Sequence, residues 1–124
     1  MNDSFFNLLK KSGSFSEKET LLLRQELQSR VLKREAFLLN KGDVCSSLCF
    51  VVSGSFYHYN TDADLNKNII DLNTTNDWVV NHKSFTTRKP SEYAIQAFED
   101  CSYYELSIDA IYRLIDQSQS FLQM

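Results

Sequence analysis

Apolar positions along this chain change from a helical to a strand period after its first thirty or so residues. Asn2-Asp3 can cap a first short helix with Phe5, Leu8 and Leu9 on one face, Lys10 and Lys11 near its end, and Gly13 as its stop. Ser16-Glu17-Lys18-Glu19 has the form of a capping box. The spacing of Leu22, Leu23 and Leu27 extends the helix it opens to about Ser29. From Val31 the pattern becomes that of strands. Val31–Leu39 supplies the first of them, and Leu48–Val52 is a short apolar run of the kind expected of a strand buried on both faces. Phe56–Tyr59 follows as an aromatic strand. Asn60–Asn68 is a polar hairpin loop, and Ile69–Leu72 resumes the sheet.

The stretch from Asn73 to Pro90 has no clear period. Beyond it, Ser91–Phe98 places Tyr93, Ile95 and Ala97 on one strand face, and Cys101–Ser107 alternates through Tyr104 and Leu106. Ile108–Ile115 is helical, with Ile111, Leu114 and Ile115 on one side. Two of the three glycines stand at chain reversals, in Lys41-Gly42-Asp43 and Ser53-Gly54-Ser55, where a residue without a Cβ reaches positive φ at little cost. Many short strands between turns predict a mainly β fold. The expectation is an antiparallel β-roll or jelly roll with N-terminal helices and a C-terminal helix, forming one domain over residues 1–124.

Composition narrows the function classes. The net charge of −3 offers no bulk attraction for nucleic acid. No apolar run approaches the roughly 20 residues of a membrane span, and the N-terminus lacks a signal peptide's apolar centre, so a cytoplasmic location without membrane contact is expected. Cys45, Cys49 and Cys101 form no CxxC pair, and with only His58 and His82 beside them they fit reduced, packed cysteines better than zinc ligands. Asp62, Asp64 and Asn66 alternate as in a calcium loop but without its glycine and terminal glutamate, so they read as a solvated turn. The two isolated histidines do not make a cupin metal site, and no catalytic triad or phosphate-binding glycine loop is visible, which argues against an enzyme.

The turn Lys41-Gly42-Asp43, the strand Leu48–Val52 and the turn Ser53-Gly54-Ser55 resemble, in type and spacing, the cyclic-nucleotide-binding sensor domain of the Crp/Fnr family of bacterial transcription regulators. The resemblance extends to about Ile115. It implies a cyclic-nucleotide-binding β-roll. In that family a cassette between two late strands begins with Gly-Glu, whose carboxylate holds the ribose 2′-hydroxyl. It ends with Arg-Ser or Arg-Thr, whose guanidinium pairs with the cyclic phosphate. Asn76-Asp77-Trp78, Phe85 and Glu105-Leu106-Ser107 align with the family pattern without gaps. That register puts Val80 at the Gly, Asn81 at the Glu, Ser91 at the Arg and Glu92 at the Ser/Thr, with His82 and Tyr93 beside them.

Each diagnostic residue is therefore replaced. Losing an arginine about 5 Å from the phosphate forgoes roughly 3 kcal/mol, and a carboxylate in its place brings the deficit to the order of 5 kcal/mol, about 10³-fold or more in affinity. Arg88 and Lys89 are the nearest cations that can restore a phosphate site; otherwise they are a solvated loop face. Trp78 is expected to be a core aromatic rather than a stacking plane for a base, and Tyr57, Tyr59, Tyr103 and Tyr104 are candidates to line the roll.

The leading expectation is a sensor domain of a Crp/Fnr-like regulator that has lost cAMP binding, with no resident cofactor, though a cyclic nucleotide or another small effector remains a candidate ligand. The resemblance implies homodimerisation of the full-length form through a following helix, and DNA contact only through a C-terminal helix-turn-helix domain that this sequence does not contain. The alternatives are a ligand-free interaction or dimerisation module on the same roll, and a true cyclic-nucleotide binder with a relocated phosphate site.

Overall fold

The structure, a computed structural model, describes residues 16–118. The helix expected over residues 2–13 lies outside them. Helix α1 spans Glu17–Glu26, and both halves of its capping box are made: Ser16 Oγ accepts from Glu19 N, and Glu19 Oε1 accepts from Ser16 N. The helix ends three residues before the expected Ser29. Leu27 is already extended, because Gln28–Leu32 is needed as strand β1 against the penultimate element. Strands β2 (Phe37–Leu39), β3 (Ser47–Ser53), β4 (Phe56–Thr61) and β5 (Lys67–Asn73) follow. A short β6 (Trp78–Val79) precedes helix α2 (His82–Thr87), and the chain continues through β7 (Ala94–Ala97), β8 (Cys101–Ser107) and helix α3 (Ile108–Gln117).

These eight described strands form two antiparallel four-stranded sheets, ordered β1-β8-β3-β6 and β2-β7-β4-β5. This is the expected mainly β roll with helices at both ends. Strand alternation divides the core into two layers. Cys49 and Val51 of β3, with Cys101 and Tyr103 of β8, face Phe56, Ile95 and Ala97 of the second sheet inside the roll. Phe50, Tyr104 and Leu106 point the other way, beneath Leu23, Leu27, Ala110 and Leu114 from α1 and α3. The two terminal helices are also tied by a bidentate pair, Arg113 to Glu26, at 2.7 and 3.1 Å.

The loop between β4 and β5 is shorter than the sequence pattern suggests. It turns at Leu65, with φ 66°, while Asp62 Oδ1 accepts from the backbone N–H groups of Asp64 and Asn66. That aspartate builds a turn. Two aromatic assignments are corrected. Trp78 is 39% exposed, because β6 is a two-residue edge and Val79, not Trp78, takes the inward position. Tyr57 is half-exposed, since its strand neighbours Phe56 and His58 claim the interior, while Tyr59, stacked on Tyr57, is 8% exposed. Burial of the cysteine side chains is as expected: Cys45, Cys49 and Cys101 are free thiols within the fold.

Both expected glycine corners have positive φ, 95° at Gly42 and 97° at Gly54. A Cβ at Gly42 meets nothing within 4 Å, whereas one at Gly54 lies 2.7 Å from both the Asp100 carbonyl and the Cys101 sulfur. Gly54→Ala is therefore expected to cost about 3–4 kcal/mol, and Gly42→Ala only about 1–2 kcal/mol from backbone strain. Urea midpoints of the two variants check this ranking.

Candidate functional site

The cassette begins where Asn76 turns the chain at φ 73°, an asparagine doing what a glycine does at this turn. Its amide donates to the Val51 carbonyl and Val51 N donates to the Asp77 carbonyl, so the cassette is fastened to the central strand β3. Val79 is buried and Val80 half-buried, and both line a cavity of about 90 Å³ with Leu38, Leu39, Cys45 and Ile95. Pockets for drug-sized ligands run to about 300–1,000 Å³. At roughly 30 Å³ each, this one holds about three waters.

Asn81 then caps helix α2. It is 4% exposed, its Oδ1 accepts from Ser84 N at 3.2 Å, and its Nδ2 donates to Ser91 Oγ at 2.7 Å. Ser91, also buried, donates its own hydroxyl proton to the Tyr93 carbonyl at 2.6 Å. Its backbone is paired to the Gly42 turn, with Gly42 N donating to Ser91 O and Ser91 N to Asp43 O. The two residues aligned with the family's ribose and phosphate ligands are thus bonded to each other. Ser84 completes the knot, accepting from Cys45 N at 2.8 Å and donating to the Lys89 carbonyl at 2.6 Å. No buried side-chain nitrogen or oxygen among the described residues lacks a partner.

The remaining candidates point elsewhere. His82 is exposed at the start of α2. Glu92 faces solvent and meets Lys83 at 3.5 Å. Its side chain is 79% exposed and stands outside the buried Asn81–Ser91 contact. Arg88 ends α2 in the left-handed region at φ 61°, and its Nη1 donates to the Cys45 carbonyl at 3.0 Å. Lys89 lines an outer cleft with Lys83, Thr87 and Glu92, not the 90 Å³ cavity. Tyr93 is half-buried, with its ring 5.5 Å from that of His58, and burial raises its phenol pKa. Burial, reinforced by Glu105 and Cys45, also pushes the Cys49 thiol far up, so it stays protonated and packs as an apolar group. Ser84 was not singled out from the sequence, and Cys45 only as a packed thiol, although the spacing Asn81-x-x-Ser84 is a capping signal that points to Ser84.

The model of the cyclic nucleotide-binding domain family matches residues 29–118. This chain belongs to that family. Solved structures share its fold at low identity. The sensor domain of the transcriptional regulator DNR from Pseudomonas aeruginosa aligns at 12% identity over 98% of this chain and 81% of that one, with a TM-score of 0.79. The N-terminal domain of a transcriptional regulator from Streptomyces coelicolor A3(2) aligns at 15% over 90% and 77%, with a TM-score of 0.78. The Thermus thermophilus catabolite activator protein aligns at 17% over 88% of this chain but only 51% of its own length, with a TM-score of 0.75. No curated protein matches the chain by sequence. The resemblance read from the glycine turns therefore holds at the level of the domain family, and regulators of the Crp/Fnr type are among its structural neighbours. No helix among the described residues is long and apolar enough to cross a membrane.

Two measurements probe this cyclic nucleotide-binding domain, one in the cassette and one on β4 beside it. Ser91→Ala strands the buried Asn81 amide and is expected to cost about 1–3 kcal/mol, read from denaturant unfolding. His58 is 2% exposed, and burial lowers its pKa below 6.5, opposed by its Asn73 hydrogen bond and by Asp71. The unfolded chain then binds the proton more readily. Its contribution to stability is full above about pH 6.5 and is lost as pH falls from there through the folded value. Unfolding midpoints between neutral and mildly acidic pH should show this step in the wild type and lose it in His58→Gln.

Proposed function

We propose that this chain is the regulatory sensor domain of a Crp/Fnr-type transcription regulator, and that its cassette no longer takes a cyclic nucleotide. The observation that carries this reading is the Asn81–Ser91 hydrogen bond, which joins the two positions aligned with the ribose and phosphate ligands. A cyclic phosphate entering there forgoes about 3 kcal/mol for want of the arginine. It must also break the bond between two buried polar groups, at about 1–3 kcal/mol. The sum corresponds to roughly a 10³–10⁴-fold loss of affinity. The small cavity behind Val80 adds to this, because a nucleotide requires the roll to open.

The domain is a binding and regulatory module rather than an enzyme, in keeping with its family and neighbours. Its effector on this reading is a small molecule other than a cyclic nucleotide. DNA is read by a further domain outside this chain, in a homodimeric, cytoplasmic regulator. The competing reading, a relocated phosphate site, asks Arg88 to leave the Cys45 carbonyl and Lys89 to turn in from its outer cleft.

Calorimetric titration with cAMP and with cGMP is expected to give no heat at millimolar ligand, and neither nucleotide should raise the thermal midpoint. Saturable micromolar binding would overturn the proposal. If such binding also disappeared in Arg88→Ala/Lys89→Ala, the relocated site would be the correct reading.

A further inference from the structure

His58 is a buried imidazole in contact with both ends of the cassette. It is 2% exposed, and its Nε2 lies 2.5 Å from Asn73 Oδ1. The side-chain amide of Asn73 donates to the Trp78 carbonyl at 3.4 Å, near the start of the cassette. On its other side the His58 ring stands 5.5 Å from the ring of Tyr93, whose carbonyl accepts the Ser91 hydroxyl at the cassette's end. Strand β6 is only two residues long and pairs with β3 at Cys49 and Phe50, so the Asn73 bond supplements a short attachment.

The protonation state follows from the partners. Because Asn73 donates through Nδ2, its Oδ1 is the acceptor, and neutral His58 carries its proton on Nε2. Nδ1 is then the atom that takes a second proton. The titratable groups around the ring are Asp71 on β5, its partner in the register, and Tyr93, with Cys45 beside Tyr93. Burial raises the Tyr93 phenol above its usual value, so it is neutral at physiological pH and the Asp71 carboxylate is left to face an imidazolium. Asp71 is exposed on an edge strand of the second sheet. An imidazolium in the buried position lacks hydration, and the Asp71 side of β5 offers it both water and a counter-charge. Moving there takes the ring from Asn73 and Tyr93 together.

We infer that His58 is a proton-operated latch: when its imidazole takes up a proton the ring turns toward Asp71, and the contacts through Asn73 and Tyr93 that hold the two ends of the cassette are released. The opening takes place within the folded domain, and it is independent of whether the cassette binds a nucleotide. The segment from Asn76 to Ser91 is closed at neutral pH and loosened in mild acid. Burial lowers the His58 pKa, against the Asn73 hydrogen bond and the Asp71 charge, which puts the change below pH 6.5.

Trp78 is the chain's single tryptophan, edge-on to Phe50 at 5.3 Å, so its fluorescence reports on this segment directly. Emission is followed from about pH 8 to about pH 5, the range of imidazole titration, with circular dichroism showing the fold intact. One transition is expected, with its midpoint below pH 6.5. It should be absent in His58→Gln, persist in His82→Gln, and move to lower pH in Asp71→Asn, where the charge that favours the imidazolium is gone. Amide hydrogen exchange of the wild type needs no variant to fold. Protection of the Asn76 and Ser91 amides, which donate to Val51 and Asp43, should fall as pH drops through the transition, by up to about tenfold per pH unit, the limit for one-proton linkage. Protection in β8 should hold. A flat wild-type titration, a transition that survives in His58→Gln or ignores Asp71→Asn, or an equal loss of protection in β8 would overturn the proposal.

Discussion

Strand β3 is buried on both of its faces, and the remainder of the fold is arranged to keep it so. Cys49 and Val51 need the second sheet opposite them, while Phe50 needs the helices above it. Each such side chain contributes about 1.5–3 kcal/mol only if its own layer is present. The chain therefore has to return twice, once to close the roll and once to lay α1 and α3 on the first sheet. The Gly54 corner lets β4 leave this strand at once. It comes so near the Asp100 carbonyl and the Cys101 sulfur that the corner has no space for a side chain. The same strand holds the cassette through the paired backbone bonds of Val51 with Asn76 and Asp77.

That attachment fixes the start of the cassette to the central strand of the roll. Here Asn81 satisfies Ser84 N itself and passes its amide to Ser91, while Ser84 ties the far end of the helix to Cys45 and Lys89. The polar interior is complete without a guest. The cost of leaving a buried donor unpaired makes this internal arrangement stable.

The two halves of the surface then stand in contrast. The cassette is polar, knit and closed, whereas the outer β4–β5 face exposes Ile69, Leu72 and Phe98.

Much of the fold was legible in local chemistry. Alternation in β3 and β8, the Ser16 box, and glycines at positions 42 and 54 each act within a few residues, so the sequence determined those turns, the starts of α1 and α3 and the two-sided burial of β3, but not helix α2. Alternation marks that one face is buried without saying which layer covers it. For that reason Tyr57, Tyr59 and Trp78 were placed only by the tertiary structure. The end of α1 was decided the same way, by pairing of Gln28–Leu32 with β8. The aligned positions Asn81 and Ser91 could be read from the sequence, but their mutual bond could not. Nor could the contact of Cys45 N with Ser84, 39 residues away. Hydrogen-bond partners that distant in the chain are chosen by packing, which brings the groups together after local structure has formed.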